Sequence, residues 1–279
     1  MSNIYNFIII LCTFVLYLHI IKHITYPIFD SVSEIDYINN SITQNTCKMN
    51  KPFIFEYIHF DPLLFNSINI DSLINNKFLN VNIHNINNHN IIVKNLNKAA
   101  HLFKKYKTKY FTINNSTFLI NNDIINHFNN FNNNIQPSFV YNTNYDIISG
   151  SIFSFTPLQF HSFSNSFFIV VQGKISVKTT SFNYADALDF KFDDKTLKYS
   201  SPINIWNYKN KKNIPIIDFK VYPGYVLFLP SYALYSIKFL EQDTLVWSVS
   251  YDTLLTHSIN FINNTYNLTN QLINYPPSL

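Results

Sequence analysis

From Pro137 onward the chain is a succession of short runs rich in Phe, Tyr, Val and Ile: FVYNT, YDIIS, FTPLQF, SFFIVV, KISVKT, DFKVY, YVLFL, LYSIKF and TLVWSVSY. Gly, Pro and Asn mark the breaks between them. Runs of this length and composition are strands, and this many in close succession argue a β-sandwich or barrel. The chain holds only three glycines, Gly150, Gly173 and Gly224, and all fall at strand ends. Gly173 closes a hairpin between SFFIVVQ and KISVKT, and Pro223-Gly224 turns the chain into YVLFLP. In KISVKT, Ile175 and Val177 share the face expected to look inward, with Lys174, Ser176 and Lys178 on the other.

The first half reads differently. Residues 4–21, IYNFIIILCTFVLYLHII, carry no formal charge and span ~27 Å as a helix, close to a hydrocarbon thickness of ~30 Å. No basic residue precedes this core and no small-residue cleavage site follows it, so the expectation is an uncleaved single-pass anchor. Lys22 orients it weakly, with the large domain on the cytoplasmic side. Residues 22–51 read as a polar tether and 52–136 as an α/β lead-in with a strand at PFIFEYIHF. Its helices are expected at NLNKAAHLFKKYK (95–107) and FLINNDIINHFNNF (118–131), with the strand YFTI between them. Residues 137–260 form the barrel, with an inserted loop at 183–213, and 261–279 a C-terminal tail.

Composition closes off several functions. All 20 basic residues are lysine, so no guanidinium fork is available for bases or phosphates. The net charge of +4 is spread along the sequence, densest at Lys104, Lys105, Lys107 and Lys109, a solvated helix face. Nucleic acid is excluded as a partner on these grounds. Cys12 and Cys47 make no disulfide framework and read as unpaired thiols. The 42 asparagines give the sequons at Asn39, Asn114, Asn115, Asn263 and Asn267 little weight. His84 and His89 are a weak metal candidate, and Trp206 and Trp247 read as core or interface aromatics. No Ser-His-Asp set, glycine-rich phosphate loop or zinc motif is present.

One stretch has the rhythm of a metal-binding hairpin: Thr156-Pro157-Leu158-Gln159-Phe160-His161, then Asn165, the apolar run to Gln172-Gly173-Lys174, and later PGYVLFLP ending at Pro230. In this order the pieces resemble the JmjC-type cupin-like proteins, closest to a branch encoded by large DNA viruses. The resemblance covers roughly residues 137–252 and implies an α+β chain: a double-stranded β-helix (cupin, jelly-roll) barrel with N-terminal helices, preceded by the single transmembrane helix. In oxygenases of that superfamily the barrel holds Fe(II) through two histidines and a carboxylate, leaving positions open for 2-oxoglutarate and oxygen. Carried onto this sequence, the first histidine falls on Gln159, the carboxylate on His161 and the distal histidine on Tyr235. The lysine that grips the cosubstrate falls on Ile175. Thr156 and Asn165 match and are expected to line a pocket.

A carboxamide is a poor iron ligand, and a phenol must first lose a proton of pKa about 10. The sequence therefore implies a site without its ligands, with no metal and no cofactor. Gln159 and Tyr235 read as a polar pair and His161 as a hydrogen-bonded histidine. The leading expectation is a membrane-anchored, catalytically inactive binding or structural module in a host or virion membrane, with other proteins as candidate partners. Two alternatives stand beside it: an Fe(II)/2-oxoglutarate oxygenase with unorthodox ligands, and a metal-free cupin that binds a small molecule or carbohydrate.

Overall fold

The computed structural model describes residues 2–24, 26–37, 39–74, 79–86, 90–115, 123–193, 198–209, 213–254 and 256–257. Two β-sheets dominate it. The first runs β1(Ser33–Glu34), β2(Phe53–Glu56), β13(Tyr225–Pro230), β8(Asn165–Gln172), β15(Leu245–Thr253), β6(Val140–Gly150), β5(Tyr110–Thr112), β3(Asn80–Asn85), β4(Ile91–Asn95). The second runs β10(Lys191–Asp193), β11(Lys198–Ser201), β7(Leu158–Gln159), β14(Leu234–Phe239), β9(Ile175–Thr180), β12(Ile217–Val221). Neighbouring strands are antiparallel except the short β1–β2 pair.

The period-2 alternation of side chains decides what each face buries. On β8, Phe168 and Val170 point between the sheets, where they meet Ile148, Leu227 and Val246 of their own sheet and Ile175, Val177, Ile237 and Phe239 of the other. Their neighbours Phe167 and Ile169 point the opposite way, into a second core with Phe53, Phe55, Phe228, Trp247 and Tyr251. Short helices cover that second face: α3(Pro62–Ser67), α4(Ile70–Ile74), α5(Leu96–Lys105) and α6(Asn129–Ile135), the last preceded by a 3-10 turn at Asp123–Phe128. Asp61 caps α3 through Leu64 N–H (3.0 Å) ahead of Pro62, and its other oxygen accepts from Asn130 of α6 at 2.8 Å. Segments 182–190, 202–209 and 213–216 lie over the outer face of the six-stranded sheet, burying Leu188, Ile205 and Ile214 against Leu158 and Leu234.

Several expectations are corrected here. The fold is mostly β rather than α+β, because the front half contributes β1–β5 to the same sheet as the strands after Pro137. It is not a closed double-stranded β-helix barrel: among the described residues no pairing joins the two sheets. The reason lies at β13 and β6. β13 spends its free edge on β2 and β6 spends its own on β5, so the large sheet extends sideways instead of curling shut. The single-pass anchor is corrected as well. Helix α1 spans Ser2–Ile24. Among the described residues no helix is long and apolar enough to cross a membrane, so neither a membrane partner at residues 4–21 nor a single-pass location in a host or virion membrane is supported.

The segment 22–51 is not a free tether where it is described. Phe29 enters the core between the sheets, Tyr37 packs on Phe55 and Tyr57, and Asn39 caps α2(Asn40–Cys47). FVYNT and YDIIS merge into one strand, β6, and the inserted loop carries β10 and β11, with β11 pairing to β7. The helix expected at 118–131 is described only from Asp123, and His89 and the tail 261–279 lie outside the described residues. His84 is engaged elsewhere, its Nε2 3.2 Å from the Ile113 carbonyl and its ring stacked on Phe111.

Gly173 sits at φ +70°, a conformation that costs a residue with a Cβ, and a Cβ there would lie 2.8 Å from Thr244 Cα. Gly173→Ala is expected to destabilise the chain by about 1–3 kcal/mol, read as a lower urea midpoint at unchanged m-value.

Candidate functional site

Strands β7 and β14 bring three of the sequence-selected residues together between the sheets. Gln159 on β7 is the direct cross-strand partner of Tyr235 on β14, and His161 follows two residues after Gln159. Gln159 Nε2–H donates to Tyr235 Oη at 3.1 Å, and Tyr235 Oη lies 2.6 Å from His161 Nε2. With the phenol donating, His161 Nε2 accepts and Nδ1 carries the proton, facing Ser166 Oγ at 3.5 Å. Ser250 Oγ in turn donates to Ser166 Oγ at 3.0 Å. The result is a directional relay, Gln159 to Tyr235 to His161 to Ser166. Gln159 and Tyr235 are buried and His161 is half-buried.

Burial pushes the Tyr235 hydroxyl well above the ordinary phenol value; the bond from Gln159 opposes this, and the Asp146 carboxylate reinforces it. The phenol is therefore neutral at physiological pH, and its proton is committed to His161. Rings close the remaining sides, with Phe168 5.2 Å from Tyr235 and Phe163 5.7 Å from His161. The His161 carbonyl accepts Tyr232 N–H at 2.8 Å. Tyr232 holds φ +61°, an uncommon conformation for so bulky a residue. Burial, with Tyr26, Tyr199 and Asp252 nearby, pushes its hydroxyl up to about 12.

The other three selected residues do not line an open cavity with these. Thr156 is fully buried and spent on the sheet: its Oγ1 accepts Ile237 N–H at 3.0 Å, and its carbonyl accepts Ser236 Oγ–H at 2.6 Å. Asn165 opens β8 at the mouth, opposite Pro230 and Tyr251. Ile175 is fully buried in the core between the sheets, among Val177, Val221 and Phe239.

Fe(II) with 2-oxoglutarate asks for imidazole or carboxylate donors and a cation for the far carboxylate. The residues present do not fit. They offer one imidazole whose Nε2 already accepts a proton bond, a carboxamide, a neutral phenol, and an aliphatic side chain at the cosubstrate position. Among the described residues no group of three or more His, Cys, Asp or Glu is placed to hold a metal ion.

Sequence reasoning missed four polar residues on the inner face: Asp146, Ser166, Ser250 and Asp252. Their signal was the alternation in VWSVSYD, where Ser248, Ser250 and Asp252 share one face and Trp247, Val249 and Tyr251 the other. An alternating strand normally sends its polar face to water, but here both faces are buried. Asp146 is satisfied by the backbone N–H groups of Asn114 and Asn115, both at 2.7 Å, and by Asn115 Nδ2 at 3.0 Å. Asp252 is less well served. Its Oδ2 lies 3.2 Å from His257 Nδ1, while its buried Oδ1 has no hydrogen-bond partner.

No family model matches the chain, and no curated protein matches it.

Two outcomes follow from this geometry. Tyr235→Phe removes the hydroxyl that satisfies both Gln159 and His161, and should lower stability by about 1–3 kcal/mol in chemical denaturation. Burial pushes the Asp252 carboxyl up to about 6, opposed by the bond and charge of His257. A raised folded value means that Asp252 contributes stability below its unfolded value, and that this contribution is lost as pH rises through about 6. Asp252→Asn should therefore lose less stability than the natural chain between pH 5 and pH 8, by about 1–2 kcal/mol in paired urea titrations.

Proposed function

We propose that this domain is a non-catalytic binding or structural module, built on the JmjC-type pattern with the metal positions given over to a hydrogen-bond relay. The observation that carries the reading is the buried Tyr235 hydroxyl, bonded to Gln159 on one side and His161 on the other. An iron site needs donors whose lone pairs face a common point. Here the one imidazole turns its Nε2 to a phenol, and the phenol keeps its proton because burial disfavours the phenolate. The cosubstrate position supports the same reading. A dicarboxylate placed against Ile175 would meet aliphatic carbon, and burying an unpaired carboxylate costs several kcal/mol.

A closed polar relay of this kind holds β7 against β14, which suits a scaffold that presents its surface to a partner. The test is turnover by the full chain. With iron, ascorbate and 2-oxoglutarate, succinate release should not rise above that of a protein-free control. Metal-dependent succinate release that disappears in His161→Ala would make the protein an enzyme and overturn the reading.

A further inference from the structure

The outer face of the six-stranded sheet collects lysines that are far apart in the chain. Ser176 on β9 is the cross-strand partner of Lys238 on β14 and of Lys220 on β12. In the next row Lys178 lies between Ser236 and Asp218. Alternation sends all six of these away from the core that takes Ile175, Val177, Val221, Ile237 and Phe239. Lys238 and Lys220 are thus two strand spacings apart, ~10 Å, with Lys178 ~7 Å further along β9.

The ammonium groups of Lys174, Lys178 and Lys238 are held against aromatic rings. Lys178 Nζ lies 5.0 Å and Lys238 Nζ 5.3 Å from the Trp206 ring centroid, and Lys174 Nζ lies 4.3 Å over Tyr222. Trp206 is itself anchored, its indole N–H donating to Ser236 Oγ at 2.8 Å. Cation–ring contacts of this kind restrict the lysine rotamers before any ligand arrives, which lowers the ordering cost of binding. On these three strands the outer face carries one carboxylate, Asp218, which accepts from Ser176 Oγ at 2.7 Å and lies 4.0 Å from Lys178. Glu241, exposed in the turn after β14, is the next along that strand.

The chemistry selects among polyanions. Strands β9 and β14 use their backbone groups within the sheet, so Lys174 and Lys238 reach a ligand through side chains alone, while Lys220 stands on β12, the edge strand. An extended acidic peptide would gain most from backbone bonds along the β12 edge, which draws it away from Lys238 two strands in, whereas a ligand lying across the face reaches Lys174, Lys220 and Lys238 together. Nucleic acid is best read by guanidinium forks and by elements that enter a groove, and this flat, arginine-free face has neither. A polymer of sugar rings carrying sulfate or carboxylate groups needs point cations and aromatic surface, and Trp206 and Tyr222 flank the lysines. We propose that this face binds an anionic polysaccharide, with Lys174, Lys220 and Lys238 on its acid groups. It lies on the opposite side of the sheet from Gln159 and Tyr235, so it stands apart from the reading of that pocket.

The full chain titrated with heparin at graded NaCl tests the proposal. Binding should weaken with salt, and K174Q/K220Q/K238Q should reduce affinity at least about tenfold and flatten the log–log salt dependence by about 2 to 3. The control K105Q/K107Q/K109Q, of equal net charge, should stay within about threefold of the natural chain. Equal loss in both triple variants, or tighter binding of poly-glutamate or single-stranded DNA than of heparin at the same salt, would overturn it. Acetylation footprinting on the unaltered chain gives a readout independent of how the variants fold. Heparin should protect Lys174, Lys220 and Lys238 over Lys105 and Lys107, and uniform protection would count against the face.

Discussion

Burial of both faces of the central strands β13, β8 and β15 of the nine-stranded sheet is the constraint on which the rest of the molecule depends. Phe167 and Phe168 are neighbours in sequence, yet each is fully buried in a different core. A strand placed in this way has no solvent side, so every polar group it carries must find a partner inside the protein. Asp146 takes the backbone of Asn114 and Asn115, Ser250 takes Ser166, and Trp247 Nε1 takes the Ile68 carbonyl at 3.1 Å. The short helices of the front half are there to cover one face. The six-stranded sheet covers the other.

The Gln159–Tyr235–His161 relay is a local answer to the same demand. Three polar side chains brought between two sheets either share a ligand or satisfy one another, and these satisfy one another. Tyr235 is well suited to the middle position because its hydroxyl accepts and donates at once, from Gln159 and to His161. Replacing an acidic or imidazole donor by a neutral phenol removes the electrostatic need for a cation and leaves hydrogen bonding as the force that holds β7 and β14 together. The same environment makes Asp252 the one carboxylate of this face with a buried oxygen left without a partner.

The cover over the six-stranded sheet has a second effect. Its described segments bury Leu158 and Leu234 and end beside the row that carries Lys238, Ser176 and Lys220. Trp206 stands at that border, half-buried. Its ring orders two of the surface lysines, Lys178 and Lys238.

Much of the strand content was legible in the sequence, because β-branched and aromatic runs between Gly, Pro and Asn turns favour a pleated surface whatever surrounds them. The hairpin at Gly173 and the inward face of Ile175 and Val177 follow from local rules, as does the approach of Gln159 to Tyr235 once their strands pair. Other features depend on partners distant in the chain. That β13 would pair with β2 and β6 with β5, leaving the sheets open, turns on which edges meet, and no local pattern encodes that choice. The polar alternation of Ser248, Ser250 and Asp252 acquires its meaning only once a second sheet covers that face. Lys174, Lys178, Lys220 and Lys238 read as scattered charge until the register of three strands placed them on one face. The sequence by itself determined most of the strands after Pro137 and the turns between them, since those depend on neighbours a few residues away. Only the tertiary structure decided which faces are dry and which charges are neighbours, since burial and cross-strand contact are set by residues far apart in the chain.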